Sequence, residues 1–240
     1  MEATWTESYY QALEFFYWEP QHLGRKKHID SKLNSLKKVQ SHLRVMEVTL
    51  NHNLNLFFLL APGSVRAQLF NRLFGRTLAG EHRMHGRGVG EAYGMAGSTQ
   101  PDLFFTSDDN VVAIEMKIAA KSSISQVLKY VLLGLAEELE SGQQKVHHLG
   151  FLGNGDFASQ WKERFRDPAA LKGAASQADL ASFLSRHPSR LGAHLQRFAE
   201  ILETLHIGFC TYADFASLLE ASQPLVNVVH VRHEFARLAR

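Results

Sequence analysis

The chain has 240 residues, 45% of them apolar and 21% charged, with a formal net charge of +2. That length fits one generous domain or two small ones, and those fractions exclude a disordered chain, a collagen-like fibre and a charge-rich coiled coil. The single cysteine, Cys210, excludes an intrachain disulfide framework and any thiolate-clustered zinc or iron–sulfur site, so a reducing compartment fits best.

The opening MEATWTESYY is acidic and aromatic, unlike a secretory or transit signal. The strongest apolar run, residues 54–61 (LNLFFLLA), is far short of the roughly 20 residues that cross a bilayer. The expectation is a cytoplasmic chain with no membrane span. The first 80 residues read as helical: a segment to Trp18, a long stretch over 31–60, and a third over 64–78 after the break at Pro62-Gly63. Residues 86–97 are glycine-rich and suit turns, bulges or a thin strand.

Residues 102–105 (DLFF) and the run VVAIEMKIA from Val111, separated by the turn signal Ser107-Asp108-Asp109-Asn110, predict a hairpin. Residues 122–140 place Ile124, Val127, Leu128, Val131, Leu132 and Leu135 at helical spacing, with a stop near Gly142. A strand over 146–152 follows. Residues 156–204 are mostly helical with breaks at Pro168, Gly173 and Pro188, then come LHIGFCTY as a strand, a short helix, VNVVHV as a strand and a basic terminal helix. Strands interleaved with helices give the fold class α/β, a single domain over 1–240 with a helical N-terminal region (1–80) and an α/β core (86–240).

Charge is unevenly spread. Residues 21–46 hold seven Lys or Arg against Asp30, residues 66–90 five Arg against Glu81, and residues 91–140 eight acids against three lysines. A basic half beside an acidic centre is what a phosphate-binding surface around a cation site needs, although a basic stretch is also what a solvated helix face looks like.

Chemistry concentrates in one stretch. Pro101-Asp102 is followed by Glu115-Met116-Lys117 and then by Gln126 and Tyr130. Glu115 and Lys117, two apart on a predicted strand, leave the same face, while Met116 points into the opposite layer. Charges on one face of an apolar strand need a partner, a metal ion or a sheet edge, and Asp102 at the start of the neighbouring strand supplies company. Two carboxylates and a carbonyl oxygen suit Mg²⁺ or Mn²⁺. Gln126 and Tyr130, at i and i+4, share a helix face.

These residues resemble the PD-(D/E)xK nuclease superfamily, with Pro101-Asp102 as the PD element and Glu115-Met116-Lys117 as the ExK element. Gln126 and Tyr130 resemble the QxxxY element of its RecB-type and λ-exonuclease-type branches. The resemblance implies a restriction-endonuclease-like core, a mixed central sheet flanked by helices, and a metal-dependent nuclease acting on DNA in repair or defence. It further implies that Asp102, Glu115 and the Met116 carbonyl bind Mg²⁺ or Mn²⁺, that Lys117 serves the attacking water, and that Gln126 and Tyr130 position substrate and acids. An accessory acid on a preceding helix is assigned to Glu47, with Glu91 as its rival.

Each residue also has an ordinary role open to it. Asp102 suits a turn after proline, Glu115 and Lys117 an exposed cross-strand pair, Tyr130 a core aromatic with a wet tip, and Glu47 a helix's solvent side. Ser123-Ile124-Ser125-Gln126 spells an S-x-x-Q capping box. A catalytically inactive nuclease-fold DNA-binding or scaffold protein is the alternative function, and an RNA-cleaving enzyme the second. The glycines of 86–94 match neither a P-loop nor a dinucleotide fingerprint, and the histidine pairs at 82/85, 147/148 and 230/233 match no zinc pattern, which makes them surface or DNA-facing residues. Cys210 is expected to be a buried small hydrophobe. Oligomeric state, including a homo-oligomer, is left open.

Overall fold

The structure, a computed structural model, describes residues 51, 54, 55, 57, 58, 61, 63–85, 89–95, 101–118 and 121–221. In chain order it has α1 (Gly63–Phe74), β1 (Arg83–His85), α2 (Val89–Ala92), β2 (Leu103–Thr106), β3 (Asn110–Lys117), α3 (Ile124–Ser141) and β4 (Val146–Gly153). A 3₁₀ turn (Ala158–Gln160) leads to α4 (Pro168–Ser176), α5 (Leu180–Leu184), α6 (Ser189–Gly192), α7 (Leu195–Thr204), β5 (His206–Thr211) and α8 (Tyr212–Ala221). The strands form one five-stranded mixed sheet in sequence order, antiparallel from β1 to β3 and parallel from β3 to β5.

The hairpin arises locally. The Ser107 N–H donates to the Asn110 carbonyl at 2.9 Å, and the Ser107 hydroxyl accepts from the Asn110 N–H at 3.1 Å, which closes the turn between β2 and β3. β3 and β4 run parallel and so need a crossover, which α3 supplies. Strand alternation then divides the interior in two. Phe104, Val111, Ala113, Leu149 and Phe151 face α3, α4 and α7, whereas Leu103, Phe105, Val112, Ile114, Met116 and Leu152 face α1, α8 and the helical turns holding Leu54, Phe57 and Phe58. Helices therefore flank both faces of the sheet.

α3 ends where the sequence stops it, with Gly142 in the left-handed conformation at φ 69°. Gly150 and Gly208 are paired across β4 and β5, and a Cβ on Gly208 would lie 2.2 Å from the Leu73 carbonyl oxygen. The end of α1 thus rests on bare sheet backbone.

Several boundaries differ from expectation. β1 was not anticipated, because three residues carry no usable period and exist as a strand only by pairing with β2. The glycine-rich segment contains the four-residue helix α2. Pro168 opens α4 rather than breaking a helix: Asp167 caps that helix by accepting from the Ala170 N–H at 2.8 Å, and a proline in the first turn removes only an N–H with no intrahelical partner. Gly173 lies inside the same helix. The predicted helices before residue 51, and the strand and helix after residue 221, lie outside the described residues. Among the described residues no helix is long and apolar enough to cross a membrane.

Candidate active site

The sheet register brings the predicted residues together. Leu103 pairs with Ile114, so one step outward Asp102 stands opposite Glu115, and the Met116 N–H donates to Asp102 Oδ2 at 2.7 Å. Glu115 and Lys117 lie on the α3 side of β3, while Met116 is buried on the other. The first turns of α3 then bring Gln126 and Tyr130 over the same point. Gln126 Nε2 donates to Glu115 Oε1, the Tyr130 hydroxyl donates to Oε2, and the Lys117 ammonium pairs with Oε1. The cluster sits at the carboxyl ends of the parallel strands β3 and β4, where open α/β sheets present their crevices.

The ordinary roles do not survive this geometry for three residues. Glu115 is only 3% exposed, so its pair with Lys117 is buried rather than a surface ion pair. Tyr130 has no wet tip, since its hydroxyl is spent on Glu115. Ser123 stands at the N-cap of α3 without a side-chain bond, and the Gln126 side chain reaches Glu115, so the capping box does not form. Burial first, then the Glu115 and Asp102 charges, hold the Tyr130 phenol well above its usual value, which keeps it a neutral donor.

Asn51 and Asn55 are the residues the sequence reading missed. Asn51 Nδ2 donates to Asp102 Oδ1, and Asn55 Nδ2 donates to the Asp102 main-chain oxygen at 2.8 Å. Their sequence signal is an i, i+4 asparagine step in the stretch NHNLN, which also holds His52 and Asn53, and their partner lies about fifty residues away. Glu47 lies outside the described residues. Glu91 belongs to α2, and the position of its side chain is likewise not described.

The donor set fits a hard divalent cation. Asp102 and Glu115 offer carboxylate oxygens and Met116 a carbonyl, all oxygen ligands, and a two-carboxylate site suits an ion that keeps waters and takes its remaining ligands from substrate phosphate. Among the described residues no group of three His, Cys, Asp or Glu side chains converges as a metal cage.

The surface reading of the paired histidines is corrected for three of them, while His85 is half-buried and His230 and His233 lie outside the described residues. His82, His147 and His148 are buried. His147 Nε2 lies 2.8 Å from Glu138 Oε1, and His148 Nε2 lies 3.1 Å from Asn110 Oδ1. Glu138 also receives both arms of Arg197, at 2.7 and 2.8 Å. This network braces the end of α3 and the start of β4, at the opposite end of the sheet from Glu115. Cys210 is buried, and burial raises its thiol to about 12, which suits an inert hydrophobe. No family model, curated protein or solved structure matches the chain.

Proposed function

We propose that the chain is a metal-dependent nuclease hydrolysing phosphodiester bonds of DNA, on a restriction-endonuclease-like core of the PD-(D/E)xK kind. The observation that carries this reading is the buried Glu115, joined by Lys117, Gln126 and Tyr130 and set opposite Asp102 at the sheet's crevice end. Such a cluster is a poor way to stabilise a fold, because burying an ion pair gains little over apolar packing and demands several donors. Buried charged and polar groups converging on one carboxylate are better explained by chemistry.

Asp102, Glu115 and the Met116 carbonyl would hold Mg²⁺ or Mn²⁺, which when bound supplies positive charge to polarise a phosphate ester and to acidify water. Lys117 presents an ammonium to the attacking water and to charge developing on the phosphate oxygens. Glu115 keeps that ammonium in place, while Gln126 and Tyr130 fix the Glu115 carboxylate from α3. Glu47 or Glu91 remains the accessory acid of this proposal.

The test is a cleavage time course with Mg²⁺ or Mn²⁺ on linear duplex, nicked circle, single-stranded DNA and RNA. Wild type is expected to cleave DNA, EDTA to abolish cleavage, and Lys117→Ala to slow it by about 10²–10⁴-fold, the usual worth of a positioned proton-transfer group. Binding without cleavage of any substrate would favour the inactive DNA-binding protein, and cleavage of RNA alone the ribonuclease.

A further inference from the structure

We propose that Asn51 is a positioning residue for Asp102, latched in its working orientation by Asn55; this rests on the nuclease reading and assigns it two further residues. Asp102 lies just before β2, outside the strand ladder, so the sheet does not by itself fix where its carboxylate points. One oxygen, Oδ2, hangs from the Met116 N–H at 2.7 Å. A donor on each oxygen restrains a carboxylate's rotation more than a donor on one. The Asn51 amide takes the other oxygen, Oδ1, and the two donors together fix the plane of the group.

The Asn51 amide has its own orientation to keep, because a flipped amide would put an oxygen against a carboxylate. Asn55 prevents this. Its Nδ2 donates to Asn51 Oδ1, leaving the Asn51 nitrogen for Asp102, and it also lies 2.8 Å from both the Asn51 and Asp102 main-chain oxygens. The donor's chemistry matters as much as its place. Glu115 is already partnered by the Lys117 ammonium, whereas an amide on Asp102 orients a carboxylate without placing a second positive charge beside the oxygens offered to a cation. Groups that orient a metal's ligands typically carry 10–100-fold in metal affinity or activity.

The experiment titrates Mn²⁺ into metal-free wild type, Asn51→Ala and Asn55→Ala by calorimetry, alongside steady-state cleavage of duplex DNA. Thermal melts in EDTA establish that each variant is folded. Asn51→Ala is expected to bind Mn²⁺ about 10–100-fold more weakly and to lose a similar factor in kcat, with KM for DNA changed less than about twofold. Asn55→Ala, which frees the amide to flip, is expected to show a smaller loss of the same kind, and serves as the test if Asn51→Ala fails to fold. A folded variant with wild-type Mn²⁺ affinity and kcat overturns the role of Asn51 and leaves the nuclease standing. A wild type that takes up no Mn²⁺ overturns the cation site itself and this inference with it.

Discussion

Glu115 accepts from three side chains on two elements, and the donors differ in what they contribute. Lys117 brings charge from the same strand face, Gln126 a neutral amide from the first turn of α3, and Tyr130 a phenol one turn later. Because the Tyr130 hydroxyl is the donor to Oε2, Tyr130→Phe leaves one oxygen of a buried carboxylate short of a partner while preserving the ring's packing. Removing one partner of a buried hydrogen bond costs about 1–3 kcal/mol. The expected outcome is a loss of that size in urea unfolding, with DNA cleavage reduced about tenfold or more through a less well-held Glu115. Unchanged stability and turnover would mean that the phenol is a bystander. The pairing of Gln126 with Tyr130 was legible because i and i+4 is a local spacing, but the choice between cap and site was not. That choice depends on where Glu115 sits, which only strand pairing determines.

At the scale of elements, β4 and the far end of α3 carry the buried titrating groups. Burial first, then the neighbouring charges of His206, Arg76, His147 and His82, hold the His148 imidazole down to about 3. In the unfolded chain the same group titrates near 6.5, so the unfolded state takes up the proton first. Its contribution to stability is complete above that value and is lost as pH falls from about 6.5 towards 3, at no more than about 1.4 kcal/mol per pH unit. Glu138 acts with the same sign in a lower window. Burial alone would raise it, but hydrogen bonds from Arg197 and His147 prevail and bring it to about 2, so its contribution disappears as pH falls from about 4.5 to 2. The melting temperature is therefore expected to fall between pH 6.5 and 4.5. His148→Gln, which retains a donor for Asn110 and cannot titrate, should make that fall shallower. A residual slope would remain from His82, His85, His187 and His206, which burial also holds below their usual value. Identical pH profiles in wild type and variant would remove His148 from the account. The hairpin, α3, β4 and β5 were legible because each has its own period and turn residues. β1, the Asn51–Asp102 bond and the burial of His147 and His148 were not, because each is created by a partner far away in the chain.

For the whole molecule, the question is which charges remain for a polyanion after the fold has used its share. Part of the basic run over 66–90 is engaged internally: Arg66 donates to the Phe58 carbonyl at 3.2 Å, Arg72 pairs with Asp214, and Arg76 lies 3.2 Å from the His206 ring. A different set gathers at the crevice end of the sheet. Ser122, just before α3, donates to the Gln160 carbonyl at 2.8 Å and accepts from the Lys162 N–H at 3.2 Å, which docks the segment after the 3₁₀ turn beside the site. Trp161, fully buried against Phe151 and Phe157, anchors that segment. Lys121, Lys162, Arg164 and Arg166 are exposed around it, interleaved with Glu163 and Asp167, and Asp167 engages Arg166. Phosphate contacts release counterions, so affinity for the proposed DNA substrate should fall steeply with salt. Each phosphate-contacting cation contributes about one unit to the slope of log K against log salt. The double variant Lys162→Glu with Arg164→Glu is expected to flatten that slope by about one to two units. Fluorescence anisotropy of a labelled duplex in EDTA, from roughly 50 to 200 mM salt, separates this binding effect from catalysis. If the double variant keeps both the affinity and the slope of wild type, the grip lies with other cations, the seven of residues 21–46 being next to test. If the slope flattens while Glu115, Lys117 and their partners are untouched, the strand enters along the Trp161–Arg166 segment and meets the crevice at the first turn of α3.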